Sequence, residues 1–389
     1  MHQLSFPKSF PDSEELFFLN LLLCKDADFL LLYEEWKSRV VFDDIDYATL
    51  GLLPLLYKRL QKFNLKDKTT AKIRGVYKLA WVKNQCLFRS LSEIVPLLES
   101  HGISVLVLKG VPLLMTVYKD VGARFLTDAD ILISPGNVKK VLQIMSEAGW
   151  RIQNLRFPSY NHFSEESLQR IVKEATFINQ QGIQIDIHWR LFDRSDNRAD
   201  IFKFDDFLGR STAFHFKNVK YNKLAPEDML IHVITHGAEG NMHRPFRWVA
   251  DAVTIIRSSD INWNQLFEEI RKSDYVVEMY VAFSFLLQHN FIVLPDFFVQ
   301  SLSAIPLLKT DIKKYYQMAN TPYEYVWFGS VPRFWQTYWK YESRGVLPIS
   351  LYYFVDYLSR AWGFTNKWEI FPFVFRKFKS RIEYYLKMR

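Results

Sequence analysis

Two cysteines in 389 residues, Cys24 and Cys86, exclude a disulfide-built scaffold and a cysteine-rich zinc module. Thiols this sparse are expected to be reduced, buried small hydrophobes. Glycine (14) and proline (15) are also scarce. No Gly/Ser linker, tandem repeat or low-complexity tract interrupts the chain, so a helix-rich protein with compact connections is expected. Long apolar runs are missing too. A spanning helix needs about 20 apolar residues. Leu16 to Cys24 contains Asn20 and stops at Lys25, Met279 to Leu287 lies between Glu278 and Gln288, and Val346 to Val355 stops at Asp356. No transmembrane segment is therefore expected. The N-terminus has no basic segment followed by an apolar stretch, so no secretory signal is expected and the location expected is the cytoplasm.

What is present builds a folded protein. Hydrophobic residues make up 49% and charged residues 24%, enough for a full core. At about 150 residues per domain, the length implies two or three domains. Aromatics reach 16%, and 50 Lys and Arg against 42 Asp and Glu leave a net charge of +8. That excess favours anionic partners. It is unevenly spread. Residues 371–389 carry Arg376, Lys377, Lys379, Arg381, Lys387 and Arg389 against Glu383 alone, which is +5. Interleaved with aromatics, such a tail fits a membrane surface or a nucleic acid. The plainer reading is a terminal amphipathic helix packed on the core with its Lys stems snorkelling.

Residues 1–100 read as a helical region. Asp12 with Glu15 makes a capping-box pattern, and a helical stretch from about Thr70 ends at His101-Gly102. The pattern then changes. Ile103 to Leu108 and Ala129 to Ile133 are short β-rich runs. Val111 to Tyr118 and Asn137 to Ala148 read as helices. Glu174 to Asn179 and Ile183 to Trp189 are two more strands, joined at Gln180-Gln181-Gly182 by a hairpin turn. Helical patterning returns with Pro226 to His236, Arg247 to Arg257 and Trp263 to Lys272. The expected class is α+β: a small mixed or antiparallel sheet flanked by helices, with a helical N-terminal arm and a helical C-terminal domain. The boundaries expected are 1–100, 101–215 and 216–389.

The chemistry concentrates in two strands. Successive strand residues point to opposite faces, so Asp128 and Asp130 share one face while Ala129, Ile131 and Ile133 fill the other. Two carboxylates about 7 Å apart on an apolar strand repel each other and call for a cation. In Gln184-Ile-Asp186-Ile-His188, Asp186 and His188 face one side and Ile183, Ile185 and Ile187 the other. Should the two strands lie side by side, three carboxylates converge, and three carboxylates suit two Mg²⁺ ions. Taken alone, Asp-x-Asp is more often a solvated strand edge.

The ordered set Leu108-Lys109-Gly110, Arg124 with Asp128-x-Asp130, Asp186-Ile-His188-Trp189, Leu224-Ala-Pro-Glu-Asp-Met-Leu-Ile-His232-x-x-x-His236 and Arg247-Trp248-x-x-Asp251 resembles the uncharacterised bacterial nucleotidyltransferase family of the DNA polymerase β-like superfamily. The resemblance spans roughly residues 85–275. It implies transfer of an NMP from an NTP, such as ATP, to an acceptor hydroxyl on a small molecule, peptide or protein, with release of pyrophosphate. It implies that Asp128, Asp130 and Asp186 bind Mg²⁺ and that Asp186 helps deprotonate the nucleophile. Lys109, Gly110 and Arg124 would hold the triphosphate, with Lys109-Gly110 standing where the wider superfamily has Gly-Ser. Gly110 would let backbone amides approach a phosphate.

Other residues are read with their plainer alternatives. His188 is placed to orient a carboxylate or touch substrate, or is a hydrogen-bonded structural histidine. Trp189 reads as core. His232 and His236 sit at i, i+4, a zinc-like spacing without further ligands nearby; His232 is expected to pack and His236 to lie near a cleft. Asp251 is expected to pair with a cleft Arg or His, or to be a surface carboxylate. Two other functions share these residues: a non-catalytic NTP-binding regulator, and a tRNA-directed nucleotidyltransferase.

Overall fold

The computed structural model describes residues 4–153, 167–169, 172–192, 203–238, 246–320, 334–335, 338–339, 349–362, 364, 366–376 and 379. Asp12 accepts hydrogen bonds from the Glu14 and Glu15 amides while the Glu15 side chain returns to the Asp12 amide, and this capping box starts α1 (Ser13–Leu23). Helices α2 (Asp26–Arg39) and α3 (Leu53–Lys62) follow. Asp67 then caps α4 (Lys68–Ser100) by accepting from Thr70 N at 2.6 Å. At 33 residues this helix is about 50 Å long. It ends at Gly102, whose φ of 75° is the left-handed stop expected from His101-Gly102.

Seven strands form one mixed sheet in the order β3-β4-β5-β2-β1-β7-β6. At its centre, β1 (Val105–Leu108) runs antiparallel to β2 (Ala129–Ile133), and β2 runs parallel to β5 (Gln184–His188). The first two are buried along their whole length, which accounts for the apolar run of β1 and leaves Asp130 as a buried carboxylate within β2. Outward on one side, β4 (Glu174–Ile178) pairs antiparallel with β5 through the turn at Gly182 (φ 78°), and β3 (Arg151–Ile152) closes that edge. The expected 180–182 hairpin is present. On the other side, β7 (Val219–Lys223) lies parallel to β1, and β6 (Thr212–Phe216) pairs with β7.

The hairpin β6–β7 was not anticipated. Its turn places Lys217 at φ 52°, a conformation that a sequence usually announces with Asn or Gly. The expected boundary at 215 falls inside this hairpin, so the sheet continues past it. Between β1 and β2, the expected helix 111–118 is a single turn (Gly110–Pro112) followed by a π-helical stretch (Leu113–Val117). The thiols also differ from expectation. Cys24 is half-buried and Cys86 exposed, because Cys86 lies on the solvent face of α4 while Leu87 and Phe88 point inward.

After α5 (Val138–Glu147), the C-terminal helices α6 (Pro226–Ala238), α7 (Arg247–Ser258), α8 (Trp263–Lys272) and α9 (Val276–Gln288) stack together. Helix α7 packs on both α1 and the π-helical stretch after β1, so it reaches the sheet's loops. Helices α6 and α7 approach closely at Gly237, where a Cβ would lie 2.2 Å from Trp248 Cβ. Among the described residues no helix is long and apolar enough to cross a membrane. Of the expected basic tail, Arg376 and Lys379 are exposed, whereas Lys377, Arg381, Lys387 and Arg389 lie outside the described residues.

Candidate active site

Register places the first cluster. Asp130 on β2 pairs with Asp186 on β5, Leu132 with His188, and Glu174 on β4 with His188. Paired residues share a face, as do residues two apart, so Asp130, Asp186, His188 and Glu174 gather on one side of the sheet. Ile131, Ile185 and Ile187 anchor the opposite side, each at most 1% exposed. The expected convergence of the two strands is therefore present.

Hydrogen bonds knit the cluster. His188 Nε2 lies 2.9 Å from Asp130 Oδ1, and His188 Nδ1 lies 2.9 Å from Glu174 Oε2. Lys109 Nζ donates to the same Asp130 oxygen at 2.5 Å. Burial opposes a charge on Asp130, yet Lys109 and His188 outweigh it and hold the carboxyl far below its usual range. Glu174 is likewise held near 2 against its burial by His188. Burial opposes a charged His188, but its bonds to Asp130 and Glu174 win and its pKa is raised. Both ring nitrogens therefore face carboxylate oxygens at 2.9 Å, and the ring ties Asp130 to Glu174.

Asp186 behaves differently. Burial, and then the charges of Asp130 and Asp128, push its carboxyl up to about 6. Its buried Oδ1 has no hydrogen-bond partner among the described residues. Ligand atoms of Asp130, Asp186 and His188 lie within 4.8 Å of one another. Asp128 stands one residue before β2, outside that triplet, where Thr127 Oγ1 donates to it at 3.1 Å. Burial and the neighbouring Asp130 raise its pKa. A buried, unpartnered carboxylate oxygen beside two like charges is the environment that a hard divalent cation relieves, so the residues present fit Mg²⁺.

A second cluster lies in the same pocket. Asp251 of α7 accepts from Tyr118 Oη at 2.6 Å and from Arg124 Nε at 3.2 Å. Arg247, one turn earlier on α7, donates to Phe125 O at 3.3 Å. The charge of Arg124, then burial, lowers Arg247 to about 10. Two guanidiniums therefore stand near Asp251, and among the described residues only Arg124 of the two bonds to it. The loop that carries Arg124 is held from α4, where Asn84 Nδ2 donates to Val121 O (2.6 Å) and Arg124 O (2.8 Å) while Asn84 Oδ1 accepts from Leu126 N (3.2 Å).

Gly110 also makes room for its neighbours. A Cβ there would sit 2.2 Å from both Arg124 Nη1 and Leu126 Cδ2, so the missing side chain makes room for Arg124. The helix it opens is one turn long, too short to supply an anion site of its own. Lys109, just before it, has φ 51°, a strained conformation costing about 1–3 kcal/mol that goes with its bond to Asp130.

The pocket joins these parts. Lys109, Gly110, Arg124, Asp128, Asp130, His232, His236, Arg247 and Asp251 all line it. Sequence reasoning named Lys109, Gly110, Arg124, Asp128, Asp130, Asp186, His188, His236 and Asp251. It passed over Arg247, although Arg247-Trp248-x-x-Asp251 was in view, because an arginine pattern does not say which member faces a cleft. Glu174 was missed because its role depends on pairing with β5. His232 and His236 stand 6.1 Å apart ring to ring. Burial lowers His232 well below its usual value, and Lys109, then burial, lowers His236 to about 3, so both rings are neutral at pH 7. Trp189 is core, as expected, with its Nε1 donating to Val172 O at 2.8 Å.

Comparison with curated protein sequences finds no match. Among solved structures, the chain is similar to a lincosamide antibiotic adenylyltransferase in complex with lincomycin, over 43% of this chain and 96% of that one, at 15% identity and a TM-score of 0.31. It is also similar to an antigenic nucleotidyltransferase-like protein from Paracoccidioides brasiliensis, over 60% and 94%, at 14% identity and a TM-score of 0.31. Residues 47–288 match the family described as uncharacterised nucleotidyltransferase. That stretch is well over half of the chain and carries both the carboxylate cluster and the arginine pair, and the chain belongs to this nucleotidyltransferase family.

Proposed function

We propose that the protein is a Mg²⁺-dependent enzyme that moves an NMP from an NTP, ATP being the first to try, to an acceptor hydroxyl on a small molecule, peptide or protein. The observation that carries this reading is the division of the pocket into two poles. Asp128 and Asp130 line an acidic pole, with Asp186 beside Asp130 on the neighbouring strand, and Arg124 and Arg247, next to Asp251, form a basic pole.

Asp128, Asp130 and Asp186 would hold the metal, with room in principle for two ions on three carboxylates. Bound there, Mg²⁺ supplies the positive charge that lets a triphosphate approach the carboxylates. His188 holds Asp130 in place, and Glu174 holds His188, the arrangement by which an outer partner fixes a metal-binding group. Arg124 and Arg247 bind the β- and γ-phosphates, where pyrophosphate charge develops. The acceptor oxygen attacks the α-phosphorus, the bond to the β-phosphate oxygen breaks, and pyrophosphate leaves with the electron pair. Asp186 takes the acceptor's proton. Catalysis of this kind rests on positioning and charge neutralisation.

The test supplies α-labelled NTPs and Mg²⁺ with candidate acceptors. Asp130→Asn and Asp186→Asn should each reduce label transfer by at least about a hundredfold, with folding checked by circular dichroism. Label transfer by Asp186→Asn at the wild-type rate would sink the assignment.

A further inference from the structure

The C-terminal helical segment has two apolar faces, and only one of them is packed. In the helix over 370–376, Ile370 and Phe373 are buried, with Phe373 against Trp362 and Phe364 at ring distances of 5.9 and 5.3 Å. On the other face, Trp368, Phe371 and Phe375 follow at intervals of three and four residues and are 62%, 52% and 68% exposed. The stripe continues onto α10 (Ile349–Ala361). Lys367 Nζ sits 4.0 Å from the Tyr352 ring centroid and 5.7 Å from that of Trp368. Trp368 stacks on Phe371 at 5.9 Å, and Tyr352 meets Tyr353 at 5.7 Å. Tyr353, Tyr352, Lys367, Trp368 and Phe371 therefore form one continuous outward patch, with Leu351 (53% exposed) at its side.

The charge around this patch is one-sided. Arg376 and Lys379 are exposed next to it, and Glu369 is the acidic residue exposed on the same segment.

We propose that this face docks on an anionic lipid bilayer surface. Aromatic rings on one face of a short helix with flanking Lys and Arg suit the headgroup boundary, where rings enter and cations meet anionic headgroups. A second copy of the chain is a poor occupant, because a two-fold contact would set the same cations against each other. A single-stranded RNA, whose bases stack on such rings, is the competing occupant that the test separates.

The test is co-sedimentation of the full chain with vesicles of phosphatidylglycerol in phosphatidylcholine, against phosphatidylcholine alone. The expected result is retention on the anionic vesicles, weakened by salt. Arg376→Gln with Lys379→Gln should weaken it about thirtyfold, at roughly a factor of five per cation. Phe371→Ser with Phe375→Ser should abolish it without changing the melting temperature, since both rings are exposed. Equal retention on neutral vesicles with no effect of the charge pair, or wild-type retention by the Phe pair, overturns the proposal. So does single-stranded RNA binding by this face in place of vesicle binding, or a dimer that the Phe pair dissolves.

Discussion

Arg247 shows what a single side chain contributes to the pocket. Its donors reach Phe125 O but no carboxylate among the described residues, while Arg124 holds Asp251. A cation in that position is under-compensated and ready for an anion. Hydrogen bonds to charged groups are worth about 1.5–3 kcal/mol. Arg247→Ala should therefore raise KM for the NTP roughly ten- to a hundredfold, with kcat falling less, as read from steady-state kinetics. The residue scale is also where the sequence was most legible. The two-residue period of a strand was enough to set Asp130 with Asp128, and Asp186 with His188, on one face of each strand; that the two strands lie side by side came from the structure. Glu174 was illegible, because its partner His188 lies on a neighbouring strand and register cannot be read from spacing. The neighbour that Gly110 makes room for was illegible for a related reason: a glycine announces missing bulk but not which neighbour fills the space.

Two contacts between elements set the shape of the site. Helices α6 and α7 meet at Gly237 and Trp248, and α7 carries both Arg247 and Asp251. Gly237→Ala should overpack this contact and cost about 1–3 kcal/mol, seen as a lower melting temperature. The helix α4 grips the 120–126 loop at Tyr77, whose hydroxyl donates to Asp120 Oδ1 at 2.9 Å and whose ring covers Gly122. Burial, then the bond to Asp120, pushes the Tyr77 pKa from 10.0 to about 12. A raised pKa favours the protonated phenol in the folded state, so its contribution is complete below pH 10 and is lost as pH rises through 12. Alkaline melting curves of Tyr77→Phe should therefore fall less steeply than wild type across pH 10–12. Elements with local signals were read well from sequence. The hairpin at Gly182 and the stops at Gly102 and Gly149 all use glycine at positive φ. The β6–β7 hairpin was missed because Lys217 occupies such a position without being glycine, and because its pairing with β1 spans more than 100 residues of chain.

For the molecule as a whole, the pocket is assembled from regions far apart in sequence: α4 supports it, the β2 region supplies Asp128 and Asp130, the 120–126 loop Arg124, and α7 Arg247. Anything that bridges the two poles ties these regions together. Mg²⁺ with a non-hydrolysable NTP at a hundred times its Kd should stabilise the fold by about 2.7 kcal/mol. Differential scanning fluorimetry should show the upward shift, and EDTA should remove most of it. The net charge of +8 has little bearing on this behaviour, because much of it belongs to the tail.

The opposed poles also give the pocket a direction. Carboxylates at one end and guanidiniums at the other make a fixed dipole whose field extends into the cleft mouth. A metal–triphosphate complex is itself polarised, and under the proposed function the field would turn it as it enters, cation towards the strands and phosphate tail towards Arg124 and Arg247. A bare triphosphate feels a torque with no matching positive end and meets the carboxylates as a like charge. Under the proposed function the pocket would select for the pre-assembled complex during encounter, so that orientation would be settled on the way in rather than by trial after contact.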